Sequence, residues 1–174
     1  LSFLGVSLAT ALPGTVFFNF LSVFLSEKGY VQGNISLIYS MIGLGSIASA
    51  FVIFFLNKKL GMIRIFRYGI WITLIGLIPM MTLNPLLIIV LAPFWSLGYD
   101  AIVGLINPVL AIEFPRHSGT VIMSMSLLNA VYGILINVSG PWLYQSFGFM
   151  GMLVIGILGT GLGTLSLHHA LKKV

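Results

Sequence analysis

The sequence predicts an all-α integral membrane protein in which residues 1–174 form one bundle of six transmembrane helices. Composition is the first observation behind this prediction. Apolar residues make up 59% of the chain and charged residues 6%, and the mean hydropathy is +1.13. A soluble domain carries about a quarter charged residues. The eight basic and three acidic side chains of this chain are too few to form a water-facing surface. Lipid is therefore expected to surround most of the chain.

The spacing of polar segments is the second observation. They separate apolar runs of about 20 residues, the length that a helix needs to cross a bilayer. Asn34 is placed to cap the second helix, and the turn at 82–85 ends the third, because a residue before proline disfavours helix. A short turn at 145–148 separates the last two helices. The predicted spans are 2–25, 35–56, 65–82, 86–112, 119–144 and 149–168.

The distribution of basic residues is the third observation. Alternate connections of a six-span bundle lie on opposite sides of the membrane, and one set holds every basic residue except Lys28. The positive-inside rule places that set, and both ends of the segment, on the cytoplasmic side. The protein is expected to lie in the cell membrane. Continuous apolar runs exclude a β-barrel, whose strands alternate. The basic set consists of Lys58, Lys59, Arg64, Arg67, Arg116, Lys172 and Lys173.

Several classes of function are disfavoured by what the sequence lacks. It has no cysteine, which excludes disulfides, thiolate metal sites and thiol catalysis. It has no glycine-rich phosphate loop and no paired nucleophile and base, so we predict neither an enzyme nor a cofactor or metal site. The net charge of +5 is explained by membrane topology, so nucleic acid is not an expected partner. The lipid bilayer is the partner that the composition requires.

Asp100 is the first candidate functional residue. It lies near the middle of the fourth apolar run, with no basic residue in the same span. An acid at this depth is costly, and it is expected to face the bundle interior or a water-filled cavity. Proton coupling and contact with a cationic substrate are two functional interpretations. The structural alternative is a neutral Asp that bonds to helix backbone or to a neighbouring Tyr, and the sequence leaves these open.

Asparagines in the apolar runs extend this candidate path. Asn107 follows Asp100 at helical spacing, so both lie on one face of the fourth helix. Asn129 and Asn137 share a face of the fifth helix with several glycines, and Asn19 stands alone in the first. Such faces line a cavity or pack against a neighbouring helix. We predict these five residues as the substrate or proton pathway.

The basic loop at 58–61 resembles a motif of the major facilitator superfamily of transporters. The family's loop typically reads Gly-x-x-x-Asp-Arg-x-Gly-Arg-Arg, and Lys59 and Gly61 match its basic and glycine positions. Lys58 stands where the acid is expected and Phe54 where the first glycine is expected. Together with six spans and two cytoplasmic ends, the loop resembles one half of such a transporter. The resemblance implies a cytoplasmic gating loop that includes Lys58, Lys59, Gly61 and Arg64.

Other motifs resemble the carboxy-terminal half of that family. Gly140 and Pro141 resemble the Gly-Pro motif of drug antiporters, with Tyr144 and Gln145 in place of its glycine pair, and the string at 93–98 lacks the arginine of the amino-terminal half. The chain begins at Leu1 inside an apolar run, without the features of a signal peptide. We therefore expect a fragment of a longer, twelve-helix protein.

The resemblance implies a secondary active transporter, either a permease or an efflux pump. Such a protein moves a small solute by alternating access between two six-helix halves. Its expected partners are the solute, the other half and, where Asp100 carries a proton, protons. The alternative is a membrane sensor or anchor domain of a multidomain signalling protein. The sequence specifies neither the substrate, nor the direction of transport, nor the coupling ion.

Overall fold

Five helices account for nearly all of residues 2–171, the part of the chain whose backbone is described by the computed structural model; side chains are described for residues 7, 10–163 and 165. No strand occurs in this part, so the all-α prediction is confirmed. Four of the helices, α2 to α5, are long and apolar enough to cross a membrane. Lys172 and Lys173 lie outside the described residues. The helices are α1 (Ser2–Glu27), α2 (Gln32–Leu60), α3 (Met62–Met80), α4 (Pro85–Glu113) and α5 (Ser118–Leu171).

The predicted count of six helices does not match the five elements of the structure, because the last two predicted spans are joined through Gly148 alone into α5. Its backbone is interrupted only at Gly148, where φ is 61° and ψ is −167°. This conformation is essentially restricted to glycine. Helical geometry continues on both sides, so the expected turn at 145–148 is reduced to one residue. We call 118–147 the first arm of α5 and 149–171 its second arm.

The two arms of α5 run in opposite directions along α1. Along the first arm, the numbers of the contacting residues in α1 and α5 rise together, so the two helices are parallel. Along the second arm, one set of numbers rises while the other falls, so they are antiparallel. The chain therefore reverses at Gly148 without a loop. The contacts that show this are Thr10 with Asn129 and Glu27 with Tyr144 in the first arm, and Phe24 with Phe149 and Pro13 with Gly156 in the second.

Helix starts differ in how well the sequence predicts them. Asn34 does not cap α2, because the carbonyl of Val31 already accepts its N–H at 3.0 Å and the helix begins at Gln32. The predicted turn before α4 is confirmed. Asn84 Oδ1 accepts from the backbone N–H groups of Leu86 and Leu87 at 3.0 and 3.4 Å. Pro85 occupies the first turn, where a missing N–H is tolerated.

Helix α4 contacts every other helix, and glycines bring its backbone close to two of them. A Cβ on Gly45 of α2 would lie 2.2 Å from the carbonyl oxygen of Pro93. On α4 itself, a Cβ on Gly98 would lie 2.8 Å from the carbonyl oxygen of Gly69 in α3. Small residues allow this approach in lipid, where packing replaces the hydrophobic effect between helices. The contact at Gly45 places the next residue, Ser46, beside the middle of α4.

Candidate functional site

The carboxylate of Asp100 is held by two serine hydroxyls between α2 and α4. Ser46 Oγ donates to Asp100 Oδ2 at 2.5 Å, and Ser96 Oγ, one turn earlier on α4, donates to the same oxygen at 2.7 Å. The two hydroxyl oxygens are 2.9 Å apart. Ser96 is fully buried, whereas Ser46 and Asp100 are half-buried. The three oxygens form a compact triangle, which we call the Asp100 triangle.

The Asp100 triangle contains hydroxyls where many buried acids have a cation. No lysine or arginine occurs between Lys28 and Lys58 or between Arg67 and Arg116. The middles of α2 and α4 therefore supply Asp100 with neutral partners only. Serine hydroxyls rotate, and each can donate one hydrogen bond and accept two. The triangle can thus satisfy an ionised or a protonated carboxyl group.

The structural alternative for Asp100 named helix backbone or a neighbouring Tyr as its partner, and the described contacts show neither. Tyr99, the adjacent residue, donates its hydroxyl to the carbonyl oxygen of Thr10 in α1 at 2.8 Å. Sequence reasoning did not identify Ser46 and Ser96 as the partners. Ser96 lies four residues before Asp100, a spacing that signals a shared helix face. Ser46 gives no such signal, because only the packing of α2 on α4 brings it to the carboxylate.

An aromatic stack adjoins the Asp100 triangle. Trp95 and Tyr99 lie one turn apart on α4, with ring centroids 5.1 Å apart and planes 10° from parallel. Phe17 of α1 lies 4.0 Å from the Trp95 ring, and Phe18 meets both α4 rings edge-on. The buried indole N–H of Trp95 has no hydrogen-bond partner in the described structure. The stack fills the interface between α1 and α4 one residue away from the carboxylate.

Three of the predicted pathway asparagines lie in the seam between α1 and the first arm of α5. Asn129 Oδ1 accepts from Ser7 Oγ and, at 3.2 Å, from Thr10 Oγ1. Asn19 Nδ2 donates to Asn137 Oδ1 at 2.7 Å, and both side chains are exposed. These residues bond across the seam rather than to Asp100. They therefore form a polar seam that is separate from the Asp100 triangle.

Asn107 lies on the same face of α4 as Asp100, two turns later. Asp100 is half-buried, whereas Gly104 and Asn107 are exposed. Asn107 forms no hydrogen bond with any side chain or backbone group that the structure describes. The face that carries Asp100 thus becomes more accessible over the next two turns of α4.

The predicted gating-loop residues lie at the junction of α2 and α3. Gly61 alone connects the two helices, with φ of 78° and ψ of 154°. Lys58, Lys59 and Arg64 are exposed around it and line a cleft at the helix ends. The structure therefore groups these residues, and it places them far along α2 and α4 from the Asp100 triangle.

Comparisons with known proteins give this site no independent assignment. No protein-family model, curated protein or solved structure matches the chain. Among the residues that the structure describes, no group of three or more His, Asp or Glu side chains is placed to hold a metal ion. The site must be interpreted from its own chemistry, which consists of a carboxyl group, two hydroxyls and an aromatic stack.

Proposed function

We propose that this chain is a helical bundle of a secondary transporter, resembling one half of a major facilitator superfamily protein. It moves a small solute by alternating access, and Asp100 exchanges a proton during the cycle. The single observation that supports this proposal best is the Asp100 triangle. A carboxyl group in the middle of an apolar helix, without a cation beside it, costs free energy to bury in a membrane. Such a group marks a functional site in membrane proteins.

The geometry of the Asp100 triangle is compatible with both uptake and release of a proton by Asp100. When Asp100 is ionised, Ser46 and Ser96 can both donate to it, over distances of 2.5 and 2.7 Å. When Asp100 is protonated, its O–H can donate to a serine oxygen, which keeps a free lone pair for this purpose. A cationic partner would instead favour the charged form. Both protonation states therefore retain partners without movement of α2 or α4.

Access to the Asp100 triangle is supported by the exposed face of α4. Gly104 and Asn107 continue the face of Asp100 and are both exposed. In a transporter of this class the solute site lies near the bilayer midplane and opens to either side in turn. A small and polar face that leads from Asp100 toward one helix end is what such an opening requires.

The proposed topology has six crossings of the cell membrane, with both ends of the segment on the cytoplasmic side. Helices α1 to α4 supply four crossings. The two arms of α5 supply two more, because the chain reverses direction at Gly148. The concentration of basic residues in alternate connections supports the orientation. A second bundle of the same kind is the proposed partner, since alternating access requires two bodies that move against each other.

The substitution Asp100→Asn tests the proton-coupling proposal in the full-length protein, reconstituted in vesicles that contain a pH-sensitive dye. Solutes are first screened on the unmodified protein for those that move protons. We expect Asp100→Asn to abolish solute-driven proton movement, because the amide cannot release a proton at this position. The control is Glu113→Gln, which removes the acid at the end of the same helix and should retain proton movement. Unchanged proton movement in Asp100→Asn would remove Asp100 from the mechanism.

A further inference from the structure

A basic cleft lies where α2 ends and α3 begins. Its volume is about 600 Å³, and two lysines and two arginines contribute to its lining. All four side chains are exposed. None of them forms an ion pair with an acidic side chain in the described part of the chain. The cleft therefore presents positive charge that the bundle itself leaves unpaired. The four residues are Lys58, Lys59, Arg64 and Arg67.

The start of α3 contributes backbone N–H groups to the lining of the basic cleft. No side chain caps this helix at Gly61, and its first turn contains no acidic residue. Met62, Ile63 and Arg64, whose backbone N–H groups open the helix, line the cleft. The N-terminus of a helix attracts anions, since its N–H groups lack helical partners and its dipole is positive there. Cationic side chains and backbone donors thus line one space together with the last turn of α2, whose carbonyl groups carry the opposite partial charge.

An apolar groove continues from the basic cleft along α2 and α3. Its volume is about 200 Å³, and aliphatic side chains and the ring of Tyr68 dominate its lining. Leu60 lines both the groove and the cleft, so the two are contiguous. From Leu60 the groove reaches Val52, a distance of about 12 Å at the helical rise of 1.5 Å per residue. It therefore leads from the helix ends into the apolar part of the bundle.

We propose that the basic cleft and the apolar groove together bind one anionic phospholipid. The phosphate lies in the cleft, and part of an acyl chain lies in the groove. The order of the two surfaces along α2 matches the order of charge and hydrocarbon in a lipid. Basic pockets between membrane helices on the cytoplasmic side suit anionic head groups in general. This site requires that α2 and α3 cross a membrane, but it does not depend on transport or on Asp100.

The groove selects a lipid over other anions. An inorganic phosphate ion would occupy the cleft and leave the groove empty. An acidic peptide segment would also leave unused a groove that is lined by Val52, Leu56 and Ile72. A ligand with an anionic head group and a hydrocarbon chain on one molecule, such as an anionic phospholipid, uses both surfaces.

The test compares phosphatidylglycerol with phosphatidylcholine and with inorganic phosphate, by native mass spectrometry of the purified full-length protein. We expect the unmodified protein to retain one phosphatidylglycerol in preference to phosphatidylcholine. The double substitution Arg64→Gln with Arg67→Gln should weaken phosphatidylglycerol binding by roughly tenfold or more, given the contribution of each cation near a lipid surface. Arg116→Gln, which removes an exposed cation outside the cleft, should leave it unchanged.

A second variant tests the groove, and it gives an independent test of the proposal if the first variant does not fold. Val52→Trp fills the groove and should weaken phosphatidylglycerol binding without changing the binding of inorganic phosphate. A preference for phosphatidylglycerol that survives Arg64→Gln with Arg67→Gln would overturn the proposal. So would equal binding of phosphate and lipid, insensitivity to Val52→Trp, or a loss as large in Arg116→Gln. If the double variant does not fold, Lys58→Gln with Lys59→Gln replaces it with the same expected result.

Discussion

Asp100 differs from the other two acids of the chain by its depth, because Glu27 ends α1 and Glu113 ends α4. Its bond to Ser46 joins α2 to α4, as does the contact between the Ser46 and Ser96 hydroxyls. Measured hydrogen bonds between membrane helices average about 0.6 kcal/mol and reach about 1.7 kcal/mol. A bond of this size positions the carboxyl group, yet it can break during a conformational change without unfolding the bundle.

A double-mutant cycle between Ser46→Ala and Asp100→Ala measures this bond. We expect a coupling free energy of about 0.6 to 1.7 kcal/mol in unfolding experiments in detergent. The control cycle uses Ser40→Ala, whose hydroxyl donates to the carbonyl oxygen of Ser36 in its own helix at 3.0 Å. Its coupling to Asp100→Ala should be near zero. Equal coupling in the two cycles would show that Ser46 does not hold Asp100.

How far the Asp100 triangle could be predicted depends on which residue is considered. The depth of Asp100 follows from its place in an apolar run, and Ser96 follows from helical spacing. Ser46 does not follow, because its sequence context, Gly45-Ser46-Ile47-Ala48, is that of any small-residue packing face. Its distance from Asp100 is set by the rotation of α2 about its own axis, and that rotation is decided by contacts along the whole interface.

At the scale of elements, the interface of α2 and α4 depends on a glycine. The missing side chain of Gly45 leaves room for the Pro93 carbonyl, whereas Gly43, half a turn away, has no atom within 4 Å of where a Cβ would be. The two glycines are therefore alike in sequence and different in the structure. Proline at 93 also limits adjustment, since its ring fixes the local backbone.

The pair Gly45→Ala and Gly43→Ala tests this close contact. Gly45→Ala should lower the free energy of unfolding by about 1 to 3 kcal/mol, the usual cost of overpacking. Gly43→Ala should be neutral or stabilising by up to about 1 kcal/mol, because alanine favours helix more than glycine does. Thermal unfolding of both variants in one detergent makes the comparison. A Gly45→Ala protein as stable as Gly43→Ala would contradict the close packing of α2 on α4.

Helix α5 shows what a sequence pattern misses at this scale. A turn at 145–148 was predictable, since polar residues and a glycine follow Tyr144. That the turn would need only Gly148 was not predictable. One residue in a conformation open to glycine reverses the chain, and the packing of both arms against α1 keeps the flanking residues helical. Apolar length therefore predicts spans better than it predicts the number of separate helices.

At the scale of the whole molecule, α4 lies at the centre of the contacts, and α1 is joined to both arms of α5. The seam between α1 and the first arm carries hydrogen bonds from near one end to the other, from Thr10 with Asn129 to Glu27 with Tyr144. Between them lies the exposed pair of Asn19 and Asn137. A transporter opens such a polar surface to each side of the membrane in turn, whereas a sensor or anchor domain has no need to do so.

The measurement that tests the transporter proposal most directly is the labelling of Asn137→Cys in the full-length protein by a membrane-impermeant maleimide, applied from each side of the membrane. The segment contains no cysteine of its own, so one thiol here reports one position once any cysteines elsewhere in the protein are replaced. Leu135→Cys is the control, because it lies two residues earlier and points to the opposite side of the arm, and it should resist labelling from both sides. We predict that Asn137→Cys reacts from both sides and that a pH gradient shifts the balance between them. Reaction from one side only, under every condition, would contradict alternating access.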